Sequence, residues 1–330
     1  MNVRRRLIPT TAVTGAVILG LVTLSACSDA SGAGGKGNGG KLDVVASFYP
    51  MQFLAEQIGG DHVTVNTLTK PGVEPHDLEL KASQVRELGQ ADYVLYLKGI
   101  QPAVDEAIQQ AGVKNTVDAA TLTKLEPHGT ETGGHDHGHE EGHAEEGHEE
   151  GHGEKEAGAD PHIWLDPVKY AEVAKGVGAS LEKADPDHAA DYKKNTAELV
   201  KKLDALHAKF DQGLKNTSTR TFITTHSAFG YLAERYKLDQ EGISGVDPES
   251  EPSPARIKEL RDVAKEEKVT TVFFETLASD KTAKTLAKDA GLKTDVLDPL
   301  EGITDKSKGA DYIEVMESNL AALKKALGAK

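Results

Sequence analysis

Short apolar segments typical of buried strands alternate with helical segments over most of the 330-residue chain. In the first half, Leu42–Phe48 has a strand pattern and precedes a helix that Pro50 opens. In the second half, Thr221–Thr225 has the same character and precedes a helix that reaches Tyr236. Strands separated by helices of this length predict a parallel sheet with helices on both faces. Because the pattern occurs twice, we expect an α/β protein of two lobes.

A segment with the pattern of one long helix, Ala189–Leu214, lies between the two repeats. Apolar or small residues recur in it at spacings of three and four, on one helical face: Tyr192, Thr196, Leu199, Leu203, Leu206 and Phe210. At 1.5 Å per residue such a helix is roughly 39 Å long, about the width of a domain. We therefore expect it to join two lobes. The predicted organisation is an N-terminal lobe over 41–167, helices over 168–215 and a C-terminal lobe over 216–330.

Residues 1–26 have the pattern of a secretory signal peptide. Three arginines precede an apolar stretch, Thr10–Leu24, that is too short to span a bilayer comfortably. The sequence Leu24-Ser25-Ala26-Cys27 resembles a bacterial lipobox, which implies cleavage before Cys27 and lipidation of its thiol. Residues 27–40 are rich in glycine and serine and predict a flexible stalk. We expect a protein anchored on the outer face of the cell membrane; an ordinary secretory signal with an incidental cysteine is the alternative.

The charge and cysteine content exclude two further features. The formal net charge of −15 argues against nucleic acid as a partner, because phosphates would repel this surface. Cys27 is the only cysteine, so the chain cannot form an internal disulfide.

Residues 127–159 form a low-complexity loop composed mainly of histidine, glutamate and glycine. It contains seven of the 13 histidines: His128, His135, His137, His139, His143, His148 and His152. The interspersed glycines oppose helix formation, so we expect disorder in the absence of metal. Tracts of this kind bind metal through shifting sets of imidazoles, which predicts several weak accessory sites. The alternative is a solvated acidic linker whose histidines are incidental.

Two stretches of this loop, 139–143 and 148–152, match the zinc-protease pattern of two histidines around a glutamate. That chemistry requires a helix, so that both imidazoles share one face. Glycines interrupt both stretches, and no apolar residue offers a helix a face to bury. The match therefore does not indicate a protease.

Four metal-binding side chains are expected beyond the carboxyl ends of strands, two in each half: His76, His162, His226 and Asp298. Ligands of open parallel sheets bind at that edge, and a cleft between the lobes would bring the four together. Three imidazoles and one carboxylate suffice for a tetrahedral zinc site. A site filled by protein ligands leaves no position for a reacting water, which favours binding over hydrolysis. A secreted zinc hydrolase, which needs such a position, is the alternative from another class.

The segments around these residues resemble the motifs of one family. They are Gly72–Glu79, Asp160–Pro167, Thr224–Phe229 and Leu297–Leu300. In this order they resemble the metal-specific substrate-binding proteins of ABC importers, in particular the zinc-uptake lipoproteins, and the resemblance covers nearly all of the chain from Leu42. It implies a metal site between two lobes with His76, His162, His226 and Asp298 as ligands. Glu74 and Glu275 would lie beside the ligands and orient them.

The same resemblance implies a function. The chain would capture Zn²⁺ outside the membrane and deliver it to an ABC permease and its ATPase, as a monomer and without catalysis. His226 indicates zinc, because members that resemble manganese importers have a carboxylate there and nitrogen ligands suit zinc better. A manganese-uptake protein of the same family and a cell-surface zinc buffer or metallochaperone are the alternatives.

Overall fold

The computed structural model describes residues 40–113, 115–129 and 159–330. The predicted signal peptide, Cys27 and almost all of the stalk lie outside these residues, as do six of the seven loop histidines: His135, His137, His139, His143, His148 and His152. Within the described residues, no helix has the length and apolar character needed to cross a membrane.

The first half forms a four-stranded parallel sheet. Its strands are β1 (Leu42–Ala46), β2 (Val63–Thr67), β3 (Tyr93–Tyr96) and β4 (Thr116–Asp118), in the order β2-β1-β3-β4. The connecting helices are α1 (Tyr49–Gly59), α2 (Ala82–Gln90) and α3 (Pro102–Ala111). Four of the five β1 residues are buried, as expected for a strand covered on both faces by helices.

Two helices follow the first sheet, α4 (Pro167–Ala184) and α5 (Ala189–Leu214). The helix α5 has the 26 residues expected from the sequence, and its predicted apolar stripe is buried. It packs against α1 of the first half and against the last helix of the chain, so it contacts both halves.

The second half repeats the first topology. Its strands are β5 (Thr221–Thr224), β6 (Asp239–Gly242), β7 (Thr271–Phe274) and β8 (Lys293–Val296), in the order β6-β5-β7-β8, all parallel. The helices are α6 (Gly230–Tyr236), α7 (Pro254–Glu266), α8 (Lys281–Ala290) and α9 (Tyr312–Ala326). The predicted α/β class with two parallel sheets is therefore confirmed.

The edge strand β6 was not expected from the sequence. Its residues, Asp-Gln-Glu-Gly, include none with a strong preference for strands. It forms because its backbone pairs with β5, from Thr221 with Asp239 to Thr224 with Gly242.

One hydrophobic cluster runs through both halves, and Trp164 lies within it, fully buried. The indole Nε1 of Trp164 donates a hydrogen bond of 2.7 Å to the carbonyl of Pro299 in the second half. The hydroxyl of Tyr312 donates in turn to the carbonyl of Trp164. These contacts hold the segment after His162 against the turn after β8, where the residues of the candidate site meet.

Candidate metal centre

Three histidines and one glutamate form a compact buried group, called here the central group: His76, His162, His226 and Glu301. The Nε2 atoms of the three imidazoles lie 3.4, 3.3 and 3.2 Å, respectively, from the same atom, Oε1 of Glu301. The ring centroids are 5.4 to 6.3 Å apart. All four potential ligand atoms lie within 4.8 Å of one another. This is the geometry of a site that surrounds one metal ion.

Each half of the chain supplies two residues of the central group. His76 lies in the loop after β2, and His162 precedes a short 3-10 turn, Ile163–Leu165, that leads into α4. His226 follows β5, and Glu301 lies in the turn after β8. Segments that follow parallel strands lie at one edge of their sheet, which accounts for the places of His76, His226 and Glu301. His162 was also expected beyond a strand, but it directly precedes the 3-10 turn, and no strand of the described residues leads directly to it.

Carboxylates on the far side of two imidazoles orient the rings. Oδ1 of Asp160 lies 2.7 Å from Nδ1 of His162 and also accepts the backbone N–H of His162. Oε1 of Glu275 lies 2.9 Å from Nδ1 of His226 and accepts the hydroxyl of Thr225. With Nδ1 held in this way, Nε2 of each ring is directed to the centre of the group, an arrangement common to metal-binding histidines.

Asp298, the expected fourth ligand, is not part of the central group; Glu301 takes that place. Both carboxylate oxygens of Asp298 already accept hydrogen bonds: Oδ1 accepts the backbone N–H of Leu300, and Oδ2 accepts the hydroxyl of Thr276, which follows β7. Leu300 has a φ of +58°, in the left-handed region. The positive φ and the hydrogen bond to Asp298 fix the backbone just before Glu301, whose carboxylate lies among the three histidines.

Sequence reasoning missed Glu301 because it sought ligands directly after strands, and Asp298 stands there. The available signal was the turn-forming run Asp298-Pro299-Leu300, followed by a glutamate and a glycine. A ligand carried at the end of such a turn lies three residues beyond the strand-end position.

Burial and charge act in opposite directions on the central group. Burial alone would raise the pKa of Glu301, but the three surrounding histidines, His226 foremost, hold it well below its usual range. Burial alone would lower the pKa of His226, but Glu275 and Glu301 raise it well above the usual value. For His162, Asp160 and Glu301 likewise outweigh burial and raise the pKa. The carboxylate of Glu301 thus stays charged, as a metal ligand must.

Glu74 and Glu275, expected beside the ligands, both lie near the group. Glu275 contacts His226 directly, as described above. Burial, together with the charge of Glu301, raises the pKa of Glu74 to about 7, although nearby His76 lowers it. Glu74 also accepts the backbone N–H of Asp77 at 3.3 Å and so braces the loop that carries His76.

Buried polar atoms without hydrogen bonds show that the central group fits a cation. Nε2 of His76, Nε2 of His162 and Oε2 of Glu301 are inaccessible to solvent and make no hydrogen bond. Leaving a buried polar atom unpaired costs roughly 1–3 kcal/mol, so three in one place indicate a ligand. The side chain of His76 is 10% exposed, against 0–2% for the other three, which makes the His76 side the approach from solvent.

His128 is the one histidine of the low-complexity loop among the described residues. It lies in a second group of ligand-type side chains, Glu126, His128 and Glu234, called here the outer group. All three residues are at least partly exposed, unlike those of the central group.

Comparison with known proteins connects this geometry to one family. The family model described as "Zinc-uptake complex component A periplasmic" matches residues 44–326. The chain is 37% identical over 311 residues to the high-affinity zinc uptake system protein ZnuA of Bacillus subtilis, covering 92% of this chain and 93% of that protein.

One pneumococcal protein extends the comparison, through its sequence and through the crystal structure of one of its domains. The zinc-binding lipoprotein AdcA of Streptococcus pneumoniae is 39% identical over 308 residues, which cover 91% of this chain but only 58% of the length of AdcA. The crystal structure of the Zn(II)-bound ZnuA-like domain of that protein superposes with a TM-score of 0.70 at 35% identity, covering 87% of this chain and 99% of the domain. Because the family model and the Bacillus relative each match almost the whole described fold, the chain belongs to the ZnuA family of zinc-uptake components.

Proposed function

We propose that this protein captures Zn²⁺ outside the cytoplasm in the central group and delivers it to an ABC permease. The observation that carries the proposal is the convergence of three imidazole Nε2 atoms on Oε1 of Glu301 in a buried site. Three nitrogens and one carboxylate oxygen are a typical donor set for tetrahedral zinc. The names of the relatives, a zinc-binding lipoprotein and a high-affinity zinc uptake protein, support zinc as the cargo.

The donor set also supports binding without catalysis. Catalytic zinc sites keep one coordination position for water or substrate, whereas four protein ligands fill a tetrahedral site. The orienting carboxylates, Asp160 and Glu275, are already hydrogen-bonded to ligand histidines. Both groups therefore hold the site in shape rather than activate a water.

The location and partners follow from the family and the leader sequence. Lipidation of Cys27 would hold the protein on the outer face of the cell membrane, within reach of a permease and its ATPase. The two lobes around the site would present zinc to the permease as a monomer. These features belong to the proposal, together with the accessory role of the loop histidines.

The test is a competition titration of Zn²⁺ and Mn²⁺ against a chromophoric chelator. We expect one tight zinc site and much weaker manganese binding, because nitrogen-rich sites favour zinc. Glu301→Gln should weaken zinc binding on the order of 10–100-fold, since even residues that only orient ligands contribute that much. Asp298→Asn, three residues away, keeps an oxygen that can accept the N–H of Leu300 and should weaken zinc binding much less than Glu301→Gln. Comparable manganese affinity, or a larger loss with Asp298→Asn than with Glu301→Gln, would contradict the assignment.

Delivery needs its own measurement. In the producing cell, loss of the protein should reduce zinc uptake at low external zinc, and the wild-type chain should restore it while the Glu301→Gln variant should not. Tight zinc binding without any effect on uptake would instead identify a cell-surface zinc buffer.

A further inference from the structure

The outer group has ligand-type atoms at metal-binding spacing. The ligand atoms of Glu126, His128 and Glu234 all lie within 4.8 Å of one another. Nε2 of His128 is 3.1 Å from Oε2 of Glu234 and 3.6 Å from Oε2 of Glu126. This Nε2 atom is inaccessible to solvent, yet it makes no hydrogen bond of acceptable geometry to either carboxylate. One imidazole nitrogen and two carboxylates thus face a common point.

The backbone of α6 holds His128 in place. A Cβ atom on Gly230 would lie only 2.3 Å from Cβ of His128 and 2.9 Å from its Cγ, so the imidazole packs on bare backbone. Glu234 lies one helical turn further along α6, on the same face as Gly230. The ring of Tyr231 meets the imidazole edge-on, with centroids 4.7 Å apart. His128 is therefore positioned by packing, and Glu234 is directed to it by the helix.

The group stands where the two ends of the histidine-rich segment meet. The backbone N–H groups of His128 and Asp160 both donate to the carbonyl of Glu126, at 3.1 and 2.9 Å. The hydroxyl of Tyr231 accepts the N–H of Glu126 and donates to the carbonyl of Asp160. Asp160 is also the residue that orients His162 in the central group. The outer and central groups are therefore connected through a single residue.

Two lysines reduce the affinity expected for a cation. Nζ of Lys124 lies 3.2 Å from Oε1 of Glu126, and Nζ of Lys169 lies 3.7 Å from its Oε2. The side chain of Lys124 is 81% exposed and can move away, whereas Lys169 is nearly buried and donates to the carbonyl of Lys124. Glu234 is 59% exposed and must be held in place on binding. A cation here is bound more weakly and exchanges faster than in the central group.

We propose that Glu126, His128 and Glu234 form a second, weaker zinc site at the base of the histidine-rich segment. It takes a divalent cation through one imidazole and two carboxylates, with water completing the coordination. The proposal concerns binding by these three residues and does not depend on delivery to a permease.

The experiment uses the full chain with the other loop histidines removed. In this background, histidines 135, 137, 139, 143, 148 and 152 are each replaced by asparagine, so that they contribute no zinc ligand. A competition titration with Zn²⁺ alone should then show two equivalents, one tight and one weaker. Glu234→Gln and His128→Gln should each abolish the weaker equivalent and leave the tight one. His207→Gln, at a histidine that contacts the hydroxyl of Tyr236, is the control and should retain both equivalents.

Two results would overturn the proposal. A single equivalent in the background protein would mean that His128 only forms ion pairs with the two glutamates. If the weaker equivalent remained in the Glu234→Gln variant and also in the His128→Gln variant, the second ion would bind elsewhere. Thermal unfolding of each variant verifies folding, and the largely exposed Glu234 tolerates substitution even if His128 does not. If the background protein lacked the tight equivalent, the assignment of the central group would be wrong. The weaker equivalent would still test the second site.

Discussion

The central group and the outer group use similar ligands in different surroundings. In the central group, three imidazoles and Glu301 are almost completely buried, and Asp160 and Glu275 orient two of the rings. In the outer group, one imidazole meets two carboxylates at the surface, with lysines nearby. A buried, pre-oriented site loses little entropy on binding, whereas an exposed one must first order its side chains. The comparison teaches that burial, orientation and the number of imidazoles together distinguish a site suited to tight zinc binding from one suited to weaker binding.

The largest expected difference between the two groups is their dependence on pH. Zinc must displace the proton of each protonated imidazole, and an imidazole with a pKa of about 6.5 costs roughly 30-fold in affinity at pH 5. The central group binds through three imidazoles, two of which have a raised pKa, so its zinc affinity should fall much more steeply between pH 7 and 5 than that of the outer group, which binds through one.

The sign follows from the pKa shifts. The raised pKa values of His226 and His162 in the metal-free protein mean that protons compete already above pH 6.5, so the central decline begins there. Competition titrations at pH 7, 6 and 5, corrected for protonation of the chelator, measure both slopes. Equal slopes for the two sites would show that they do not differ in the number of imidazoles bound.

The next largest effect is expected for Glu275, which orients the imidazole of His226 but does not belong to the central group. Glu275→Gln keeps the shape of the side chain but removes the charge that faces Nδ1 of His226. We expect central zinc affinity to fall about 10–100-fold, with no change in the outer group. Glu317→Gln, at an ion pair with Lys209 on the surface, is the control. If Glu275→Gln left zinc affinity intact, packing alone would orient His226.

A smaller effect, on stability, is expected for the hydrogen bond by which Trp164 joins the two halves. Trp164→Phe retains an aromatic ring but removes the hydrogen bond from Nε1 to the carbonyl of Pro299. The buried carbonyl would be left unpaired, at a cost of about 1–3 kcal/mol in the free energy of unfolding. Urea unfolding of the zinc-free protein measures this cost. No loss of stability would indicate that another donor replaces the indole.

The smallest effect is expected at the link between the two groups. Tyr231→Phe removes a hydroxyl that contacts the backbone of both Glu126 and Asp160. We expect about 1 kcal/mol less stability and weaker zinc binding in the outer group, with the central group nearly unaffected. Thermal unfolding and the two-site titration test this together. An equal loss of affinity in both groups would show that Asp160 couples them more tightly than the structure indicates.

Much of the fold was predictable because its signals are local. The alternation of strand and helix patterns and the bounds of α5 both depend on neighbouring residues. The strand β6 was not predictable, because Asp239–Gly242 is extended only through pairing with β5. Strand propensity depends on the residues of one segment, whereas strand pairing also depends on the neighbouring strand.

The sequence by itself determined the two α/β halves, the long helix between them and the three histidines of the central group. Only the tertiary structure decided the fourth member. The chain contains 53 acidic residues, and choosing Glu301 over Asp298 required the left-handed turn at Leu300 and the hydrogen bonds that occupy both oxygens of Asp298. The outer group was only partly predictable: His128 was expected as an accessory metal ligand, but Glu234 joins it only when α6 packs against the base of the loop. The sequence specifies the type of each side chain, but the folded backbone determines which distant side chains meet in one site.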